Sequence, residues 1–160
     1  MSDKPLLLLD VDGVLAVVTV PSGDVDADPV LTLPPEASEW FAQVANAFDI
    51  VWATTWAEHA NRVIAPKLGL PTLPTVAFNM DERALTPKLR SVIDAVGDRP
   101  CAWVDDDLHE DANTWAAGRE VPTLLMHVDG RKGMTRRHVD RLLNWAAMLR
   151  STSARVQLGE

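Results

Sequence analysis

This chain has a single cysteine, Cys101. One thiol forms no internal disulfide, so the chain suits a reducing compartment and is expected to be cytoplasmic. Cys101 opens an apolar run, which suits a small buried hydrophobe better than a nucleophile. No apolar stretch reaches the length of a membrane span, and the opening Met-Ser-Asp-Lys-Pro lacks the pattern of a signal peptide. Basic charge is also scarce. The net charge of -8 opposes strong non-specific binding to nucleic acid. The four histidines (His59, His109, His127, His138) do not fall at metal-site spacing. There is no internal repeat, linker or low-complexity stretch.

What remains is an ordinary soluble composition. Of the 160 residues, 47% are apolar and 24% charged, enough for one domain with a real core. Strand-like runs fall at 5–9, 50–54, 75–78, 101–104 and 123–128. Helical patterns lie between them at 36–48, 56–68, 87–96, 109–117 and 135–149. In the first, Trp40, Phe41, Val44 and Phe48 share one side. Gly69 and Gly118 read as helix stops. Thr86-Pro87 reads as a helix start, with Thr86 as the cap. Strands alternating with helices predict an α/β domain: about five parallel strands with helices on both faces. One stretch breaks the alternation. An acidic, Gly- and Pro-containing turn at 21–29, flanked by apolar segments, predicts a β-hairpin over 16–33. Residues 1–150 form the expected domain and 151–160 a C-terminal tail. The charge is uneven too: from Arg131 to Arg155 there are seven basic residues and one acid, Asp140. Such a run reads first as a solvated helix face and second as a surface for an anionic partner.

The chemistry gathers at the ends of these elements. Leu6-Leu7-Leu8-Leu9 reads as a strand buried on both faces. It ends in Asp10-Val11-Asp12-Gly13-Val14-Leu15. Thr54 and Thr55 follow the apolar Ile50-Val51-Trp52-Ala53, Lys88 opens a helix, and Asp105-Asp106-Asp107 follow Cys101-Ala102-Trp103-Val104. Asp111 comes one helical turn later. Open α/β sheets work just beyond the carboxyl ends of their strands. Phosphoryl transfer asks for a carboxylate nucleophile, a second carboxyl as acid and base, and a few hard oxygens for Mg²⁺. It also asks for a lysine and a hydroxyl for the phosphoryl oxygens. Each has a candidate here. Each also has a plainer reading: Asp12-Gly13 as a turn, the acids from Asp105 as a helix start, Thr54 and Thr55 as strand ends.

Taken in order, these four motifs resemble the haloacid dehalogenase (HAD)-like hydrolases, across residues 5 to about 128. The resemblance implies a Rossmann-like domain whose nucleophile is Asp10, with Asp12 as general acid and base. Thr54 (in the second register Thr55), Lys88 and Gly13 would bind the phosphoryl group. Mg²⁺ would be held by Asp10, the backbone carbonyl of Asp12 and Asp106, assisted by Asp105 or Asp111. An acid at position 12 points to the phosphatase and phosphotransferase branches. The gaps between motifs are too short for a folded cap domain, which implies an open site.

A narrower likeness rests on Trp52-Ala53-Thr54-Thr55-Trp56, Ala60-Asn61 and Gly133-Met134-Thr135. These are similar to HAD-type domains associated with bacterial RNA-repair proteins. The expected partner is therefore a phosphorylated substrate, small molecule or nucleic-acid end, and not a membrane. Trp56 reads either as core packing or as a surface on which a base stacks. Three functions are expected in turn: a Mg²⁺-dependent phosphomonoesterase, a phosphatase of nucleic-acid ends, and a catalytically silent binding or regulatory domain.

Overall fold

The computed structural model describes residues 2–15 and 33–159. The hairpin expected over 16–33 falls almost wholly outside them. The described elements run β1 (Leu6–Leu9), α1 (Ala37–Ala47), β2 (Asp49–Trp52), α2 (Glu58–Val63), a 3-10 turn (Pro66–Leu68), α3 (Leu89–Val96), β3 (Cys101–Asp105), α4 (Glu110–Ala117), β4 (Thr123–His127) and α5 (Arg136–Gln157).

The sheet is parallel in the order β2-β1-β3-β4. β1 is central: Leu6 pairs with both Asp49 and Cys101, and Leu9 with both Trp52 and Val104. Side chains alternate across a strand, so the four leucines of β1 split between two cores. Leu7 and Leu9 join Phe41, Val44, Trp52, Val104, Val139 and Leu142 on the face covered by α1, α2 and α5. Leu6 and Leu8 join Val92, Val96, Trp103 and Ala112 on the face covered by α3 and α4. A strand apolar at every position is what a sheet covered on both faces requires. Cys101 is fully buried in the second core.

The sheet has four strands rather than about five. The stretch 75–78 reaches the sheet edge but makes one parallel bridge, Thr75 to Trp52. Pro74 accepts from the Trp52 N–H at 2.8 Å and Val76 donates to the Trp52 carbonyl at 2.9 Å. Pro71 and Pro74 have no N–H to extend that ladder. Ser91 of α3 then takes over the backbone: its Oγ accepts from the Asn79 N–H at 2.9 Å and donates to the Asn79 carbonyl at 3.3 Å.

Two helix boundaries also differ. α3 begins at Leu89, and Thr86 does not cap it with its side chain. α5 continues through Gln157, past the helix end expected at 149 and into the segment 151–160. Gly69 ends the 3-10 turn in the left-handed conformation, at φ 69°. Among the described residues, no helix is long and apolar enough to cross a membrane.

Candidate active site

Parallel strands all end at one edge of the sheet, and that edge collects the acids. Asp10 follows β1, Asp105 closes β3 and Asp106 is next in the chain. The ladder runs one step past the strands: Asp10 N–H donates to Val104 O at 3.1 Å, Ala53 N–H to Leu9 O at 2.8 Å and Val128 N–H to Asp105 O at 3.0 Å. Backbone bonds therefore hold the loop starts rigidly.

Lys88, at the start of α3, reaches across this edge. Its Nζ donates to the Ala53 carbonyl at 3.1 Å and pairs with Asp10 Oδ1 at 3.1 Å and Asp105 Oδ2 at 2.9 Å. One ammonium thus touches the ends of three adjacent strands. Phe78 lies beneath it, 5.7 Å from Nζ to the ring centre. Burial works against the charge on Lys88, but the Asp105 and Asp10 carboxylates outweigh it and hold its pKa up.

Asp105 is fully buried and accepts from Lys88, from Trp103 Nε1 at 3.2 Å and from the Asp107 N–H at 3.0 Å. Asp10 is buried as well. Its Oδ1 takes the Val11 N–H at 2.8 Å and Lys88, while Oδ2 is open among the described residues. Burial, then the Asp105 carboxylate, pushes the Asp10 carboxyl up to about 8 against the pull of Lys88. Burial, then Asp105, also raises Asp106.

Asp10, Asp105 and Asp106 each offer a carboxylate oxygen, all within 4.8 Å of one another. With all three ionised, these carboxylates facing one ammonium leave two negative charges, which a divalent cation would neutralise. The donors are hard oxygens, as Mg²⁺ prefers. Asp106 stands between two glycines. A Cβ on Gly130 would lie 2.6 Å from Asp106 Oδ2, and one on Gly13 would collide with the same carboxylate.

The remaining candidates sort by position. Thr54 is buried just beyond β2, with its Oγ1 accepting from the Trp56 N–H at 3.2 Å, whereas Thr55 is exposed. The carboxylate of Asp12 is not in the cluster of three; its Oδ1 accepts from Trp56 Nε1 at 3.0 Å. Trp56 packs partly against the core, and His59 stacks on it. Asp111 stands apart from the cluster as well. It accepts from the Thr86 hydroxyl at 2.6 Å, the Thr86 N–H at 2.9 Å and the Ala112 N–H at 2.8 Å. Burial opposes its charge, but the Thr86 and Ala112 bonds win and lower its pKa. Thr86, instead of capping α3, pins the start of α3 to the start of α4, and so fixes the base from which Lys88 reaches.

Sequence reasoning passed over Trp103 and Gly130. Trp103 was open to it, since residues two apart on a strand share a face and Asp105 follows Trp103 by two. Gly130 ends up beside Asp106 because Met134 N–H donates to Val14 O at 2.7 Å, joining the loop after β4 to the loop after β1. No local pattern signals that pairing.

A parallel sheet with these acids at its carboxyl edge and a lysine bridging them defines a HAD-like hydrolase domain. The chain matches the family model described as the HAD domain in Swiss Army Knife RNA repair proteins over residues 6–139, and it belongs to that family. A search among individual curated proteins returned no significant match.

Proposed function

We propose that this chain is a Mg²⁺-dependent phosphomonoester hydrolase that works through an aspartyl-phosphate on Asp10. The observation that carries the reading is the trio Asp10, Asp105 and Asp106, the first two buried and the third half-buried, with Lys88 bonded to Asp10 and Asp105. Asp10, Asp105 and Asp106 would hold Mg²⁺. When bound, the ion supplies positive charge that favours ionised Asp10 and offsets the charge on the phosphoryl oxygens.

The chain's own groups do the rest. Lys88 fixes Oδ1 of Asp10, which leaves Oδ2 to attack phosphorus. Lys88 and the Thr54 hydroxyl steady the phosphoryl oxygens. As the bond from phosphorus to the leaving oxygen breaks, Asp12 gives that oxygen its proton. Asp12 then takes a proton from the water that attacks phosphorus, and the bond from phosphorus to Asp10 breaks. Phosphate is released and both aspartates are restored.

A second reading narrows the substrate to a phosphorylated nucleic-acid end. The family description, which names RNA repair proteins, favours it. So do Arg131 and Lys132, exposed on the turn that carries Gly130 against Asp106.

The test is phosphate release from small phosphomonoesters and from 3′- and 5′-phosphorylated oligonucleotides, with Mg²⁺ or EDTA. Wild type should release phosphate only with Mg²⁺, and Asp10→Asn should release none. A salt-sensitive preference for oligonucleotides selects the second reading. Mg²⁺ binding with no release from any substrate points instead to a binding or regulatory domain.

A further inference from the structure

Trp56 is held by four separate contacts. Its peptide N–H donates to Thr54 Oγ1 at 3.2 Å, and its carbonyl accepts from the His59 N–H at 3.0 Å. The His59 ring stacks on the indole, with centres 5.3 Å apart and planes 28° off parallel. The indole Nε1–H donates to Asp12 Oδ1 at 3.0 Å. The next residue, Ala57, sits at φ 49° and ψ -130°. Among the described residues it is the one non-glycine with positive φ. These angles match the first central position of a type II′ turn, where glycine is the ordinary occupant. A strained alanine therefore closes the turn that folds His59 over the indole and aims its N–H at Asp12. Strain of this kind concentrates where a fold holds a group in place for function.

We infer that Trp56 is a positioning residue for Asp12: its indole N–H occupies Oδ1 and leaves Oδ2 as the oxygen that exchanges protons with the leaving group and with water. The inference rests on the phosphatase reading above, in which Asp12 is the general acid. An indole N–H only donates. Oδ1 must then stay an acceptor, so the acid proton resides on Oδ2. Without that anchor the terminal torsion of an aspartate is broad and two-fold, and either oxygen faces the substrate. Among the described residues, Oδ2 takes no hydrogen bond. In the first step the proton on Oδ2 moves to the leaving oxygen as its bond to phosphorus breaks. In the second step Oδ2 takes the proton of the attacking water.

The readout is dependence on the leaving group. p-Nitrophenolate leaves without a proton; an alkoxide such as that of glycerol 2-phosphate needs one. The kcat/KM of both esters, which reports the first step and not the hydrolysis of the phospho-aspartate that they share, is measured for wild type and for Trp56→Phe. A third protein carries β-(3-benzothienyl)alanine at position 56, which keeps the bicyclic shape and replaces N–H with sulfur. This third protein separates the hydrogen bond from packing, and it carries the test if the Phe variant does not fold. Loss on the alkyl ester should exceed loss on the aryl ester by about tenfold, the scale of one well-placed hydrogen bond. Equal loss on both esters, or no loss on either, overturns the assignment. With wild type active and Asp10→Asn inert, that outcome leaves the phosphatase reading standing. A wild type inert toward every ester overturns the reading and the assignment together.

Discussion

Asp106 shows how much of this site depends on groups without side chains. Its carboxylate fills the space that a methyl group at Gly130 or Gly13 would need. The two glycines differ in kind. Gly13 has φ 75°, a conformation that an L side chain resists, so alanine there strains the backbone as well as striking Asp106. Gly130 does not have a positive φ. Its added Cβ would press hardest on the Asp106 carboxylate oxygen, 2.6 Å away at the end of a side chain that can turn, and only lightly on the Asp106 Cβ at 3.3 Å. Gly130→Ala should therefore fold with little loss of stability and bind Mg²⁺ about tenfold or more weakly, as when a metal ligand loses its support. Titration calorimetry with Mg²⁺, beside a melting curve, separates the two effects. A variant with wild-type Mg²⁺ affinity would exclude Asp106 as a ligand held by this contact.

At the level of elements, how readable a feature is depends on how local its cause is. The run Leu6 to Leu9 declares a doubly covered strand because every position is apolar, and the fold bears this out through two separate cores. Asp10 and Asp105 inherit their places from strand ends, so their meeting follows from the sheet order. The stretch 75–78 misled because its neighbour Pro74 and the distant Ser91 decide its pairing. Thr86 misled in the same way. Thr-Pro is a good local start signal, but a carboxylate 25 residues on claims the hydroxyl. The start of α5 follows the local rule more closely. Thr135 is its cap, and His138 fills the place usually taken by Glu or Gln, accepting from the Thr135 N–H at 2.9 Å. Burial, then Arg141, lowers the His138 pKa below 6.5. The fold thus favours the neutral ring, and stability should fall as pH drops through that range, where the unfolded chain takes up a proton more readily. His138→Gln keeps an acceptor at this position without a titrating group. Its melting temperature should lose part of the wild type's decline between about pH 7 and pH 5. An unchanged decline would show that the cap does not depend on a neutral ring.

Across the whole molecule, ionising all three carboxylates would leave two negative charges at this edge once Lys88 is counted, in a chain whose net charge of -8 includes them. A fold that gathers three carboxylates this way is stable in spite of them, and that cost appears as a pH dependence. In the unfolded chain Asp10 titrates near 3.8; in the fold it titrates at about 8. Between those values the folded chain keeps a proton that the unfolded chain has released, so raising the pH favours unfolding. Without a divalent ion, stability should therefore fall from about pH 5 to pH 8. Mg²⁺ favours the ionised carboxylate and binds the fold over the unfolded chain, so it should raise the melting temperature most at the alkaline end. Asp10→Asn cannot ionise. In EDTA it should lose much of the decline and melt above wild type at pH 8, while gaining less from Mg²⁺. Calorimetric melting of both proteins across this range, with EDTA and with Mg²⁺, makes the comparison. If wild type in EDTA were as stable at pH 8 as at pH 5, the carboxylates would not be in charge conflict, and the need for a cation at this edge would lose its physical basis.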